Sequence, residues 1–404
     1  GIYRANQVLD NVPNIEMEEA LKTRLIGEAK FFRGFYYYQL ALLFGKVPLM
    51  LKTSLPTDLP SPSSQSEVYD QAALDLTDAT TALPPSYTGA NLGRATAGAA
   101  HAMLAKVYMQ QKKWGAAVTA LFPIVEGPLA SNYGLMTNYR DNFIAATENN
   151  RESVFEFQYA TNPADNHDDD TDPRVDNLNY GSSIGRFIAP QPMGFADAQA
   201  RSWVVNELLQ ESTITNQRDP RISASFLYAN TDSRGPAFSM VYGQSWASRY
   251  PGGNSNIYFR KFLSDATLTT EVFNGDNNYR YLRYADVLLM YAECLNEVNR
   301  TADAYQYVDR VRQRVNLAPL SDIRPGLTKI PFLNQLKHER VTELSGEGHR
   351  WEDLARWGDL GPQLSSRDAG FATFEVGKHE LFPLPQQDLD INPNMGASGQ
   401  NPNY

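Results

Sequence analysis

The sequence lacks most features that would assign it to a disulfide-bonded, membrane-spanning or nucleic-acid-binding class. It has one cysteine, Cys294, so no internal disulfide can form, and the apolar helical run around it predicts a buried small side chain rather than a catalytic thiol. No stretch approaches the roughly 18 consecutive apolar residues that a spanning helix needs. The net charge is −10 and no run of Lys or Arg occurs, which argues against nucleic-acid binding.

Signatures of catalysis are also scarce. There is no Walker loop and no HExxH pattern. The segment Glu347-Gly348-His349-Arg350 lies beside Trp351, and we predict that it belongs to a buried Arg–Glu network that sets helix geometry. A carboxylate pair for glycoside hydrolysis can come from distant parts of a chain, so the sequence leaves that alternative open with little weight. We therefore expect a protein that is not an enzyme and uses no cofactor.

One acidic cluster raises the question of a bound metal. Asp168, Asp169 and Asp170, preceded by Asp165 and His167, offer oxygen ligands of the kind that Ca²⁺ prefers. The spacing of an EF-hand is absent. A solvated loop is therefore the favoured interpretation, and we predict no metal site.

What the sequence does contain is helical periodicity. The 404 residues are enough for a large core, or for two to three domains. Apolar side chains recur every three or four residues from Leu25 to Leu43, and this helix should end at Gly45. A second amphipathic helix is predicted from Val68 to Leu83.

Two helical hairpins then repeat one design. The first joins Thr96–Gln110 to Trp114–Ile124, and the second joins Asp286–Val298 to Ala302–Val315. In each hairpin an alanine of the first helix is followed twelve residues later by an alanine of the second: Ala105 by Ala117, and Ala292 by Ala304. Small side chains at these positions let the two helices approach closely. Such a repeat indicates TPR-like units, although two amphipathic hairpins can also match by coincidence.

Between the hairpins the pattern changes. Residues 152–159 alternate apolar and polar side chains, as a half-buried strand does. Residues 160–278 are rich in Asn, Asp, Gly, Ser and Pro, with a helix predicted only at Ser202–Gln210, and such long irregular stretches are often functional. A helix is expected from Pro331 to about Trp357, followed by an extended tail lying against the helical body. These changes suggest three parts within one structural domain: 1–150, 151–278 and 279–404.

Aromatic residues of the irregular region predict a ligand site. The sequence has 22 Tyr, 19 Phe and 5 Trp, and a ring face can cover a sugar ring. Residues 242–253 have no helical or strand period, so their aromatic side chains need not belong to the core. Neighbouring Asn, Gln and Arg side chains can supply hydrogen bonds. We predict that six residues bind the ligand: Trp246, Tyr250, Tyr242, Tyr228, Tyr258 and Arg249. The other four tryptophans are expected to be structural.

Several segments, taken in order along the chain, resemble the SusD/RagB family of Bacteroidetes nutrient-binding lipoproteins. They are Arg24–Arg33, Tyr36–Leu49, Gly93–Thr96, Glu152–Glu156, Leu282–Glu293, Glu339–Gly358 and Leu381–Pro385. The resemblance implies a mainly α-helical fold, in which TPR-like hairpins form a SusD-like α-α superhelix that carries a large, irregular, loop-rich insertion. It also implies a place on the outer face of the outer membrane and a SusC-like TonB-dependent transporter as partner.

The front of the sequence departs from the family pattern. Members begin with a lipoprotein signal and a lipidated cysteine, whereas this sequence begins at Gly1 without Met, and Cys294 cannot replace that cysteine. We therefore expect the natural N-terminus and the lipid anchor to lie outside this numbering. The resemblance implies non-catalytic binding of an oligosaccharide and its delivery to the transporter. The alternative is a TPR-type scaffold that binds a peptide or protein on the concave face of its helical repeats.

Overall fold

The computed structural model describes residues 1–161, 180–235 and 240–404, and the acidic cluster at Asp165–Asp170 lies outside these ranges. The architecture is mainly α-helical, as expected. The helices are α1 (Ile2–Asn11), α2 (Glu19–Phe44), α3 (Gln65–Ala82), α4 (Ala97–Gln110), α5 (Trp114–Val125), α6 (Ile184–Ile188), α7 (Ser202–Leu209), α8 (Pro220–Ser225), α9 (Trp246–Arg249), α10 (Tyr284–Glu297), α11 (Thr301–Arg314), α12 (Leu320–Ile323), α13 (Lys329–Leu344), α14 (Arg350–Trp357), α15 (Leu360–Arg367), α16 (Gln386–Ile391) and α17 (Pro393–Ser398).

Short antiparallel strand pairs accompany the helices. The strands are β1 (Val47–Pro48), β2 (Pro62–Ser63), β3 (Ser153–Phe157), β4 (Phe226–Leu227), β5 (Tyr258–Phe259) and β6 (Tyr279–Arg283), and the pairs are β1 with β2, β3 with β6, and β4 with β5. The chain forms two compact units, the first from residues 1–132 and 351–404 and the second from residues 133–350. The division at residues 150 and 278 stays a prediction.

The first unit is built on α2, the longest helix. Its start is capped by Glu18, whose side chain accepts from two backbone N–H groups, and it ends at Gly45, where φ is +70°. Gly34 allows α3 to approach, because a Cβ there would lie 2.8 Å from Cγ of Leu76. Both predicted helices are thus confirmed, and they pack against each other.

The two predicted hairpins are confirmed as α4–α5 in the first unit and α10–α11 in the second. The matched alanines are all completely buried: Ala105, Ala117, Ala292 and Ala304. A side chain of this size lets two helix backbones approach closely, as the sequence pattern required. In α10 every residue from Tyr284 to Asn296 is buried, including Cys294. This helix is a core element on all of its faces.

The strand predicted at residues 152–159 is confirmed as β3, which pairs with β6 so that Glu156 lies opposite Arg280. Next to it lies the predicted Arg–Glu network. Arg283, which is fully buried, donates from Nε to Glu347 at 2.6 Å and from Nη1 to Glu343 at 3.0 Å. These charges hold β6 against the end of α13 and the turn that follows it.

Two details of the last third differ from the sequence interpretation. The helix predicted from Pro331 to Trp357 is interrupted after Leu344, because Gly346 and Gly348 adopt φ values of +81° and +83° that end a helix. The tail is not fully extended but contains α16 and α17, the latter capped by Asn392. It does lie against the helical body of its own unit, where the Asn401 amide donates to the carbonyl of Phe44, at the end of α2, at 2.9 Å. No helix in the described ranges is both long and apolar enough to cross a membrane.

Candidate functional site

A turn and a short helix in the second unit carry the central aromatic residues of the predicted site. The backbone groups of Val241 and Gln244 exchange hydrogen bonds of 2.6 and 3.2 Å, which closes a tight turn. Ser245 then caps α9, its hydroxyl accepting from the N–H of Ser248 at 3.2 Å. Trp246 is the first residue of α9, and Tyr250 directly follows its last residue. The turn and the cap bring these two side chains to neighbouring positions.

Trp246 and Tyr250 form an aromatic pair at the surface. Their ring centroids are 4.7 Å apart with planes inclined at 54°, and both side chains are partly exposed. The hydroxyl of Tyr250 donates to the carbonyl of Gln191 at 3.1 Å, and burial raises its pKa to about 12. The phenol is therefore neutral at physiological pH. Its orientation is fixed by Gln191, which lies outside the α9 segment (residues 241–250).

Two N–H groups beside this pair have no acceptor among the residues that the structure describes. They are Nε1 of Trp246 and Nε of Arg249, and both atoms are buried. The Arg249 guanidinium makes one long contact, from Nη2 to the carbonyl of Tyr242 at 3.4 Å. Uncommitted donors beside a ring face are the combination that a sugar hydroxyl can use.

Tyr242 lies beneath this surface rather than in it. The side chain is 6 % exposed, and its hydroxyl donates to Oε1 of Glu271 at 2.6 Å. The same oxygen accepts from the N–H of Ser264 at 2.7 Å. Burial raises the pKa of Glu271, while these hydrogen bonds oppose the rise, and burial together with the Glu271 charge raises the pKa of Tyr242. The ring anchors the turn that precedes α9.

Tyr258 and Tyr228 are also buried, at 4 % and 8 % exposure. Tyr258 packs 6.3 Å behind Trp246, and its hydroxyl accepts from the amides of Asn254 and Asn256, each at 3.1 Å. The expectation of exposed ring faces is therefore wrong for Tyr228, Tyr242 and Tyr258. The irregular segment has no regular period, but these rings are buried because the segment folds around its own apolar clusters.

The six predicted residues thus divide into three places. Trp246, Arg249 and Tyr250 come together at the surface, with Tyr242 and Tyr258 as their support. Tyr228 belongs to a different apolar cluster and lines a separate cleft of about 550 Å³, together with Asn206 and Arg234. Whether any of the six contacts a ligand stays a prediction. Trp203 packs against the same cluster as Tyr228, as a structural tryptophan should.

The sequence interpretation missed an exposed aromatic group elsewhere in the second unit. Phe187, Phe195 and Phe273 meet with centroid separations of 5.8 to 6.2 Å, and the Arg186 guanidinium lies 4.6 Å above the Phe195 ring. Phe187 and Phe195 are 41 % and 38 % exposed. Phe273 lies too far along the chain from the other two for a sequence pattern to connect them.

One cluster has the composition of a metal site. Glu211, His338 and Glu339 each place a ligand atom within 4.8 Å of the others. Arg312 already donates to both carboxylates, with Nη1 3.0 Å from Glu211, and His338 Nδ1 lies 3.0 Å from Glu207. The groups therefore form an ion-pair network that joins α7 to α11 and α13.

Comparisons with known proteins place this geometry in a family. A model described as the SusD family matches residues 151–404, and one described as starch-binding associating with the outer membrane matches residues 1–109. The SusD-like protein P25 of Formosa agariphila is 27 % identical over 414 residues, covering 97 % of this chain and 75 % of the relative.

Solved structures agree. A SusD superfamily protein from Bacteroides vulgatus has a TM-score of 0.84 at 26 % identity and covers 100 % of this chain and 83 % of its own. A laminarin-binding SusD-like protein has a TM-score of 0.79 at 27 % identity, covering 100 % of this chain and 84 % of its own. Because the first family model spans more than half of the chain, this protein belongs to the SusD family.

Proposed function

We propose that this protein binds an oligosaccharide at the cell surface and delivers it to a SusC-like TonB-dependent transporter. The observation that carries the proposal is the partly exposed pair of Trp246 and Tyr250. Beside it, N–H groups of Trp246 and Arg249 have no acceptor within the described ranges. An aromatic face covers the C–H face of a sugar ring, and fixed donors at its edge select the hydroxyl pattern.

Relatives support the ligand class and the location. One family model is described as starch-binding associating with the outer membrane, and a structural relative is named as laminarin-binding. Attachment by a lipid anchor to the extracellular face and delivery to a transporter complete the proposal. Co-purification with a SusC-like transporter from the same cells is the expected result. If a membrane extract contains both proteins and they do not co-purify, the delivery step is contradicted.

Binding without hydrolysis is part of the same proposal. Glu271, the carboxylate that contacts Tyr242, is buried and directs Oε1 to Tyr242 and Ser264. Hydrolysis needs an acid and a nucleophile or base on either side of the glycosidic bond. Incubation with oligosaccharides should release no new reducing ends, whereas a time-dependent release by the purified protein would refute this part.

The alternative is a peptide-binding scaffold of the TPR type. It places the ligand on the helical hairpins, but α10 is buried from Tyr284 to Asn296 and offers no free face there. Ligand binding at the α9 segment is therefore the better-supported choice. A peptide that binds tightly in a screen in which no glycan binds would reverse this order.

Calorimetry with an oligosaccharide panel tests the glycan site directly. Trp246→Ala should weaken binding at least tenfold, which corresponds to about 1.4 kcal/mol, because the ring contact is lost. Trp246→Phe should retain part of the affinity. Phe122→Ala is the matched control, since Phe122 is 47 % exposed on α5 in the other unit. Unchanged affinity in Trp246→Ala would remove this surface from the site.

A further inference from the structure

Among the described residues, a small cavity in the second unit is lined by three arginines and by no acidic side chain. Its volume is about 220 Å³, and Arg140, Arg260 and Arg314 lie in its wall. The hydroxyl-bearing residues Thr137 and Ser223 also line it, and its remaining lining residues are uncharged. None of the predicted site residues lines this cavity.

Two of the three arginines contact the same carboxylate. Arg140 and Arg260 both pair with Asp265, with Arg140 Nη2 3.0 Å from Oδ1 and Arg260 Nε 2.8 Å from Oδ2. Asp265 therefore contacts two guanidinium groups of the cavity wall. Burial, partly offset by Asp265 and reinforced by the Arg260 charge, lowers the pKa of Arg140 to about 10. An additional negative charge would favour the charged form of Arg140.

Arg314 supplies the second and independent observation. Its side chain is 3 % exposed, and its Nε atom has no acceptor in the described part of the chain. Its two other nitrogens donate to Glu152 at 3.2 Å and to Glu343 at 2.5 Å, and Arg283 uses the same two carboxylates. A buried donor without an acceptor destabilises the fold. A ligand oxygen would satisfy it.

We propose that this cavity is a binding site for one small oxyanion group, either a sulfate, a phosphate or a carboxylate. Guanidinium groups suit such a ligand, because their planar N–H donors match the spacing of its oxygens and their charge stays fixed. The group can be a free inorganic anion or a substituent of a glycan. Only the second source rests on the function proposed above.

Thermal unfolding of the full chain tests the site with inorganic anions. Sodium sulfate and sodium phosphate are compared with sodium chloride at equal ionic strength, so that general screening is the same in each solution. Sulfate at several times its dissociation constant should raise the transition temperature by about 1–2 °C. Equal transition temperatures in all three salts would overturn the proposal.

A tethered carboxylate gives a matched pair of variants. Ser223→Glu places an anion in the cavity and should abolish the response to sulfate, while Ser223→Gln has the same size without the charge and should keep it. Thr137→Glu and Thr137→Gln provide the same comparison from an exposed position, should the Ser223 variants fail to fold. An equal sulfate response in the Glu and Gln variants would place the anion elsewhere and refute the assignment.

Galactose 6-sulfate and galactose, measured by calorimetry, distinguish the two sources. Binding of the sulfate ester but not of galactose, lost in Ser223→Glu, assigns the site to a glycan substituent. Binding of inorganic sulfate alone assigns it to a free anion. If neutral glycans bind and sulfate does not, this inference fails and the proposed function stands. If sulfate binds and no glycan does, the anion site stands and the proposed function fails.

Discussion

Replacement of Tyr242 by Phe separates a structural role from a role in ligand contact. The structure buries the ring and gives its hydroxyl one partner, Glu271 at 2.6 Å. Tyr242→Phe keeps the ring and removes that donor. The variant should therefore lose stability and keep most of its affinity for an oligosaccharide, because Trp246 and Tyr250 stay in place.

The size of the loss depends on the charge of Glu271. A hydrogen bond to a charged partner contributes about 1.5–3 kcal/mol, and one between neutral groups about 0.5–1.5 kcal/mol. Burial raises the pKa of Glu271, and the Tyr242 hydrogen bond opposes that rise, so its removal raises the pKa further. A carboxyl group with a raised pKa stabilises the fold when protonated and loses that contribution as pH rises. The deficit of the variant should therefore be larger at pH 8 than at pH 5.

Urea unfolding of both proteins at pH 5 and pH 8, with calorimetry on the same samples, measures the two quantities. We expect a deficit of about 2 kcal/mol at pH 8 that shrinks at pH 5. An unchanged free energy of unfolding, combined with a tenfold loss of affinity, would show that the hydroxyl contacts the ligand and would refute the structural role.

Two further substitutions test the hairpin packing and one ion-pair network. Ala304→Leu should lower the free energy of unfolding by about 1–3 kcal/mol, because the larger side chain overfills the α10–α11 contact. Ala302→Leu, on the exposed face of the same helix, should be nearly neutral in urea unfolding. Equal effects of the two substitutions would contradict the packing account. Burial disfavours the charged form of His338, but Glu211 and Glu207, with other carboxylates, outweigh burial and raise the pKa of His338. The stabilisation from charged His338 is therefore complete below pH 6.5 and is lost as pH rises through the raised pKa. His338→Gln should flatten that pH dependence, and an unchanged profile would exclude the network as its source.

The helical scaffold follows closely from the sequence. The period of apolar residues located α2 through α5, and the Ala105 and Ala117 pair located the contact between α4 and α5. Both signals are local, because a helix buries residues that are three or four positions apart. The break after Leu344 was missed, since two glycines in a helical pattern do not reveal that both adopt positive φ.

The candidate site was only partly predictable. Trp246 and Tyr250 are four residues apart, so a short helix brings them together, but no local pattern distinguishes them from Tyr242, which is buried. Burial of Tyr242 and Tyr258 depends on partners distant in the chain, such as Glu271 for Tyr242. The arginine cavity was missed for the same reason, because Arg140, Arg260 and Arg314 come from three separate segments.

A crystal structure with a bound oligosaccharide, chosen from the strongest ligand in the calorimetric panel, tests the central claim most directly. The account predicts a sugar ring against Trp246 and Tyr250, with hydroxyl groups within hydrogen-bonding distance of Trp246 Nε1 or Arg249, and an intact glycosidic bond. A ligand seated on the helical hairpins, with the α9 segment unchanged from its unbound form, would contradict it.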